Sequence, residues 1–318
     1  MTILVTGASG FIGGNLLQHL QQQGRSVLGM TRGGAIGAGW RRGNLDDPGS
    51  LSLACQGIST VIHCAGYAHA FGTLQQADAD FHWRINYEGT RRLVEAAGGA
   101  GVRRFVFLSS VKAMGEPGAE CVAEDWQGAF LTPYGEAKRA AEVAVLESGR
   151  SSAMEVVILR PAMVYGPGGK GNLERMARAI SRERFPPLPE TGNHRSLVHV
   201  DDMVAAILLA VDQPQANGQT YVVAHPEAPS GGQLYDAMRR ALELPPCRWR
   251  TPESWLRLAG QAGSLAERML HRRMPLNTEV VSRLLDSAWY SSARLQGELG
   301  WAPRVSLGEG LRRLVAAM

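Results

Sequence analysis

Short β-rich apolar runs punctuate the first half of the chain at residues 2–6, 26–30, 60–65, 104–109 and 156–159. Between them lie longer stretches with apolar residues at helical spacing, notably 11–23, 82–97 and 134–147. Unbroken apolar strands alternating with amphipathic helices predict an α/β fold, a doubly wound parallel sheet covered on both faces. The second half changes character. Residues 166–171 and 185–192 are Pro/Gly-rich, and 198–200 and 220–223 read as short strands. Ser230 and Gln233 predict a capping box, and Thr251-Pro252 an N-cap with proline in the first turn. The pattern divides the chain into a sheet domain over 1–165, rejoined by 196–225. A smaller, mostly helical C-terminal lobe takes 166–195 and 226–318.

Composition narrows the classes. A chain of 318 residues fits two lobes. Its 38 glycines follow no Gly-x-y period, so they mark turns and not a collagen helix. Charged residues are only 19%, against disorder. The net charge is +4, and the arginine doublets are scattered without a long basic run, so nucleic acid is not the expected partner. Cys55, Cys64, Cys121 and Cys247 form no C-x-x-C pair and no zinc spacing, so no metal is expected and a reduced, cytoplasmic protein fits. The longest apolar run, 203–211, is too short to span a bilayer, so no membrane insertion is expected. Lysine is rare: Lys112, Lys138 and Lys170.

Three groups carry chemistry. Gly7, Gly10 and Gly13 form G-x-x-G-x-x-G between a predicted strand and helix, with Phe11 and Ile12 inside it. That context lets backbone approach a pyrophosphate at a helix N-terminus; the bland reading is a glycine turn without a ligand. The second strand ends Thr31-Arg32 with no acidic residue, so Arg32 favours NADP(H) over NAD(H). Asn44 and Leu45 follow the next short strand, where an adenine contact or a plain loop cap is expected. Tyr134 and Lys138 are spaced i, i+4, so phenol and ammonium share a helix face, and a nearby cation favours the phenolate. Ser109-Ser110 end the 104–109 strand at the sheet edge where active sites form.

In that order these features resemble the extended short-chain dehydrogenases/reductases of the NAD-dependent epimerase/dehydratase kind, over nearly the whole length. The markers are TGASGFIG (6–13), NLDD (44–47), HCAG (63–66), NYEGT (86–90), FLSS (107–110), YGEAK (134–138), LRPAMVYGPG (159–168), RSLVHVDD (195–202) and ELGW (298–301). The resemblance implies a Rossmann-type fold. It makes Tyr134 the acid/base, Lys138 its ribose and pKa partner, and Ser110 the carbonyl ligand. Asn86, Ala65, Gly66, Pro161 and Met163 would line the cofactor. Lys112, Asn172, Arg195 and, more loosely, Arg283 would hold the diphosphate sugar. Family dehydratases carry Asp-Glu after the catalytic hydroxyl residue; here Val111 and Lys112 stand there, so dehydration is disfavoured.

The stretches SSVKAMGE, GPGGKGN and AWYSSARLQGELGW resemble reductases of UDP-4-keto-6-deoxy-N-acetylhexosamines, which form UDP-N-acetylquinovosamine or UDP-N-acetylfucosamine for surface polysaccharide. Rival expectations are a UDP-hexose 4-epimerase with tightly bound NAD, a hydroxysteroid dehydrogenase-like enzyme and a non-catalytic dinucleotide sensor. A homodimer through 82–97 and 134–147 is expected. Residues 255–273 form a basic amphipathic segment with Arg257, Arg268, Arg272 and Arg273. The preferred reading is a lid helix packed on the substrate lobe; a helix lying on a membrane surface is the other.

Overall fold

A computed structural model describes residues 1–33, 37–67, 76–130, 132–169, 171–270, 274 and 276–318. Lys170, Arg272 and Arg273 fall outside the described residues. The strands are β1 (Ile3–Thr6), β2 (Val27–Thr31), β3 (Trp40–Arg42), β4 (Thr60–His63), β5 (Arg104–Leu108), β6 (Cys121–Val122), β7 (Glu155–Pro161), β8 (Met163–Tyr165), β9 (Leu197–His199), β10 (Thr220–Val223) and β11 (Trp289–Tyr290). Seven of them form one parallel sheet in the order β10-β7-β5-β4-β1-β2-β3. The chain leaves β1 toward β2 and β3, then returns to pair β4 on the other side of β1. The carboxyl ends of β1 and β4 therefore flank the topological switch point, where such sheets bind ligands.

The helices are α1 (Phe11–Gln22), α2 (Pro48–Cys55), α3 (Gln76–His82), α4 (Gly89–Gly99), α5 (Pro133–Ser152), α6 (Asn172–Ser181), α7 (Val200–Asp212), α8 (Gly231–Ala241), α9 (Glu253–Leu270), α10 (Thr278–Leu285), α11 (Ala293–Leu299) and α12 (Leu307–Ala316). Strand side chains alternate between faces. Ile3, Val5, Val106, Leu108, Val157 and Leu159 pack with Leu16 and Leu20 of α1 and Met203 and Ile207 of α7. Leu4, Val61, Phe105, Phe107, Val156 and Ile158 meet α2, α4 and α5 on the other side. Burial on both faces is why these strands read as unbroken apolar runs. A third cluster joins α6, α8, α10 and α12 through Leu173, Met176, Leu234, Met238, Val281 and Leu311.

Two sequence motifs explain each other. The buried Asp202 carboxylate at the head of α7 accepts from Arg304 N at 2.7 Å and Val305 N at 3.3 Å, while its carbonyl accepts from Trp301 Nε1 at 3.0 Å. At the far end of α7, buried Arg104 donates from one guanidinium nitrogen to the Ala210, Val211 and Gln213 carbonyls at 2.8–2.9 Å. A cation there satisfies carbonyls that have no helical donor.

Of four local expectations, three change and one holds. The helix expected over 82–97 is broken by a π-helical turn, Trp83–Glu88, before α4. The Ser230 capping box forms with both of its hydrogen bonds. The Thr251 cap does not: the Thr251 hydroxyl is buried without a hydrogen-bond partner among the described residues, and the Pro252 carbonyl accepts from Leu256 N as α9 begins. The fourth concerns α9, which packs on α10 through its small face. A Cβ at Gly263 would lie 1.8 Å from the Leu276 carbonyl oxygen, and one at Gly260 2.8 Å from a Val281 methyl. Its large residues Trp255, Leu258, Leu265, Met269 and Leu270 point outward, so the lid reading holds for the glycine face and for buried Leu256 only. No helix among the described residues is long and apolar enough to cross a membrane.

Candidate active site

The glycine turn sits at the switch point. Gly7 has φ +64°, and a Cβ on it would lie 2.7 Å from Ala65 N, just past β4. A Cβ on Gly13 would lie 2.3 Å from the Gly7 carbonyl oxygen. Only glycine lets the two strand ends and α1 converge this closely. Gly10 is the N-cap of α1, has no side-chain cap, and no acid occupies the first turn. The result is a bare cradle with a positive dipole end, which fits a dinucleotide pyrophosphate. The Phe11 ring reaches the loop after β8, where a Cβ on Gly169 would touch it at 3.0 Å, and Ile12 packs against the core below.

The cradle is braced by a chain of hydrogen bonds absent from the sequence reading. Ala65 N donates to Thr6 Oγ1 at 3.2 Å, and Thr6 Oγ1 lies 2.7 Å from His63 Nδ1. His63 Nε2 lies 3.0 Å from Thr90 Oγ1, which donates to the Asn86 carbonyl at 2.7 Å. That last bond fixes the order of protons: His63 donates from Nε2 and accepts at Nδ1. Burial, then the Lys138 charge, push the His63 pKa down to about 3, so the ring is neutral.

The remaining cofactor candidates surround this point. Exposed Arg32 follows β2. Asn44 closes its own turn by accepting from Asp46 N at 3.2 Å, and Asp47, not Asn44, caps α2. The Leu45 side chain is buried against Gly89, and its carbonyl accepts from Arg92 Nη1 at 3.5 Å. Asn86, in the π-helical turn, accepts from Tyr67 N at 2.8 Å and donates to the Tyr67 carbonyl at 2.9 Å, pinning the segment after β4. Its Nδ2 also lies 3.2 Å from His82 Nδ1. Pro161 ends β7 and Met163 opens β8.

Tyr134, Lys138 and Ser110 come together beside Gly66. A Cβ on Gly66 would sit 3.0 Å from Asn86 Oδ1 and 3.4 Å from Lys138 Nζ. The Tyr134 hydroxyl is hydrogen-bonded to the Ser110 side chain. Ser110 Oγ also accepts from Lys112 N at 3.2 Å, capping the short 3-10 helix that follows β5. The neighbouring Ser109 Oγ is buried without a hydrogen-bond partner among the described residues. Lys138 is 4% exposed, donates to the Leu108 carbonyl at 2.8 Å and lies 4.7 Å from the Phe107 ring centroid. Burial pulls its pKa down to about 8, against the fields of Glu142 and Cys64, which raise it. The expectation that Lys138 lowers the Tyr134 pKa is not met. Burial raises the phenol, and the opposing influence is its hydrogen bond with Ser110.

Sequence reasoning missed a support beneath the lysine. Glu142, one turn on from Lys138, accepts from Arg160 Nε at 2.9 Å and Nη2 at 2.7 Å, with both side chains 3% exposed or less. The i, i+4 spacing of Lys138 and Glu142 was visible, but the partner on β7 was not.

The candidate substrate residues divide. Met163, Asn172, Arg195 and Arg283 line one cavity of about 730 Å³, joined by Arg175, Arg184 and Phe185, which the sequence reading did not select. Asn172 is the first residue of α6. Arg195 donates to the Asp286 carbonyl at 3.2 Å, and burial lowers its pKa. Arg283 pairs with Glu279. Lys112 does not line this cavity; its ammonium pairs with Glu116. The cavity's Arg195 end adjoins the segment after Ser110: Arg195 is bridged to Ala288, and Tyr290, two residues on, donates its hydroxyl to the Gly115 carbonyl at 3.2 Å.

A parallel sheet with a bare glycine cradle at its switch point, and a buried Tyr/Lys/Ser group beside it, defines a dinucleotide-dependent enzyme of the α/β type. The chain belongs to the NAD dependent epimerase/dehydratase family, whose model matches residues 3–224. It is 29% identical to a UDP-glucose 4-epimerase of Vibrio cholerae over 99% of this chain and 95% of that protein. It is 29% identical to a 2-alkyl-3-oxoalkanoate reductase of Stenotrophomonas maltophilia, over 100% and 99%. Among solved structures, MoeE5 in complex with UDP-glucuronic acid and NAD superposes with a TM-score of 0.78 at 26% identity, covering 100% of this chain and 98% of that one.

Proposed function

We propose that the protein reduces the C4 ketone of a UDP-4-keto-6-deoxy-N-acetylhexosamine, giving UDP-N-acetylquinovosamine or UDP-N-acetylfucosamine. The observation that carries this reading is the cavity in which Asn172, Arg195 and Arg283 share a wall with Met163, next to the segment that follows Ser110. A bound nicotinamide supplies the hydride that becomes the new C4–H bond. Ser110 donates a hydrogen bond to the ketone oxygen, Tyr134 gives that oxygen its proton, and solvent restores the phenol. Lys138, with a pKa near 8 and one helical turn on from Tyr134, turns from the Leu108 carbonyl to hold the ribose. Arg195 and Arg283 hold the diphosphate, and Asn172 lines its approach; Lys112, paired to Glu116 away from the cavity, takes no part. Dehydration lacks its acid/base pair, since Val111 is buried and Lys112 is paired to Glu116.

Arg32, and the lack of a carboxylate at the end of β2, support NADP(H) over NAD(H). A homodimer through α4 and α5 and a cytoplasmic site of action accompany this reading. The second reading, a 4-epimerase retaining NAD, is favoured by the full-length likeness to the Vibrio cholerae enzyme.

The test follows nicotinamide absorbance with the 4-keto sugar nucleotide, using NADPH and NADH in parallel. Stoichiometric oxidation, abolished by Tyr134→Phe with cofactor binding spared, is expected. No oxidation, together with NAD carried through purification and interconversion of UDP-hexoses, would overturn the reductase in favour of the epimerase.

A further inference from the structure

The outer face of α9 has no counterpart in the catalytic reading. Trp255, Leu258, Leu265 and Met269 are 58–74% exposed. At 100° per residue they fall on one stripe, with Ala262 and Ala266 between them. Exposed Trp249 precedes the helix, and exposed Leu270 ends it off the stripe. The helix is 18 residues long, about 27 Å. Its opposite face is committed: Gly260 and Gly263 seat on α10, and Leu256 reaches the substrate cavity. Contiguous exposed apolar surface of this extent marks an interaction site.

Charge identifies what covers it. Residues 248–273 hold six arginines (248, 250, 257, 268, 272 and 273) and two glutamates (253 and 267), a net of +4. The whole chain is also +4, so the rest of the protein is neutral and its entire excess lies in this stretch. Both acids are spent within the fold, and so are Arg250, paired with Asp236, and Arg257, paired with Glu253 and Asp286, which leaves Arg248 and Arg268 as the exposed arginines of the stretch with no ion pair among the described residues. Glu253 pairs with Arg257, and Glu267 accepts from Asn277 Nδ2 at 3.0 Å and Met274 N at 2.8 Å. A second copy of the chain docked through this face would bring the same arginines against themselves. A lipid surface bearing anionic headgroups meets both features: an interfacial depth for Trp255, Leu258 and Met269, and negative charge for Arg248 and Arg268 on the borders.

We propose that α9 lies in the plane of an anionic bilayer surface, its large apolar residues in the headgroup–acyl boundary, with the substrate cavity on the helix's other side. The attachment is peripheral. It is independent of the reaction at Tyr134 and stands or falls separately from the proposed activity.

The experiment is sedimentation of the full-length protein with phosphatidylcholine vesicles and with phosphatidylglycerol/phosphatidylcholine vesicles. Binding is expected to the anionic vesicles only, to weaken with salt, and to blue-shift tryptophan fluorescence. The triple variant Trp255→Ser/Leu258→Ser/Met269→Ser is expected to abolish it. The charge variant Arg248→Gln/Arg268→Gln is expected to weaken partitioning roughly twenty-five-fold, about fivefold per arginine. Both variants change exposed residues outside the site, so unaltered melting and turnover show that the fold is intact. A protein left in the supernatant with both vesicle types would overturn the proposal. So would vesicle binding unaffected by either variant, or a concentration-dependent dimer lost in the serine variant without vesicle binding.

Discussion

Glu142→Gln isolates the buried support of Lys138, the lysine of the proposed mechanism. The substitution keeps the shape of the side chain and removes its charge. Arg160, 3% exposed, then keeps neutral acceptors only, among them the Glu124 carbonyl at 2.8 Å. Breaking a buried ion pair from one side costs about 3–5 kcal/mol. At roughly 2 °C per kcal/mol for a chain of this size, the melting temperature should fall by about 6–10 °C. A second consequence is chemical. The Glu142 field raises the Lys138 pKa against burial, so without it the ammonium titrates below its present value of about 8. The basic limb of the pH–turnover profile should therefore move toward neutrality. Glu142→Leu with Arg160→Met separates the effects. An apolar pair of similar volume should recover most of the melting temperature, while the displaced pH limb should persist. Thermal melts and pH profiles of the three proteins decide the matter. A single variant that melts with wild type and titrates like it would refute the reasoning.

Lys138→Met should abolish turnover yet melt above wild type at pH 7 without ligand, because the fold disfavours the charged lysine. The folded pKa of about 8 lies below the usual 10.5, so the unfolded chain binds the proton more tightly; wild-type stability rises between those values and the gap should close there. His63→Gln should flatten the acid limb of stability. Its folded pKa near 3 means wild type loses stability as pH falls below about 6.5 toward 3, when the unfolded chain takes up the proton. Gly13→Ala should abolish dinucleotide binding measured by calorimetry and destabilise by about 1–3 kcal/mol, because its Cβ meets main chain at 2.3 Å. Arg195→Ala should weaken UDP-sugar binding roughly tenfold to a hundredfold, as loss of a charged hydrogen bond does, and leave cofactor affinity unchanged.

The sheet was legible because burial on both faces forces unbroken apolar strands, and the glycine turn because its spacing leaves few alternatives. Tyr134 and Lys138 were legible as an i, i+4 pair. What escaped were interactions between residues far apart in sequence. Thr6, His63 and Thr90 look like ordinary core polar residues until β1, β4 and α4 converge. Arg160 looks like one residue in an apolar strand until Glu142 is set beneath it. The direction of the Tyr134 shift escaped as well, because spacing shows a cation on the same face but not that it turns to the Leu108 carbonyl. In α9 periodicity revealed two faces and could not say which is inside. The ordinary expectation buries the larger residues. Here a close approach to Leu276 and Val281 admits only glycine, and the large face is left out.

Reduction and epimerisation use the same three side chains and differ in what the cavity must do. A reductase presents one face of the C4 ketone once. An epimerase must present both faces of the same carbon to one nicotinamide, so the sugar has to turn over while its diphosphate stays held. In the proposed reading the arginines that line the cavity hold the diphosphate end, while the apolar wall of Leu173, Met176 and Leu234 has no hydrogen-bonding side chain to fix an orientation of the sugar ring. The discriminating experiment therefore follows the C4 hydrogen. With deuterium carried on the reduced nicotinamide, a reductase places the label at C4 of every product molecule with one configuration. An epimerase given a UDP-hexose deuterated at C4 returns the label at C4 in both configurations and consumes no external nicotinamide. Label appearing in two configurations would refute single-face reduction, however fast the keto sugar is turned over.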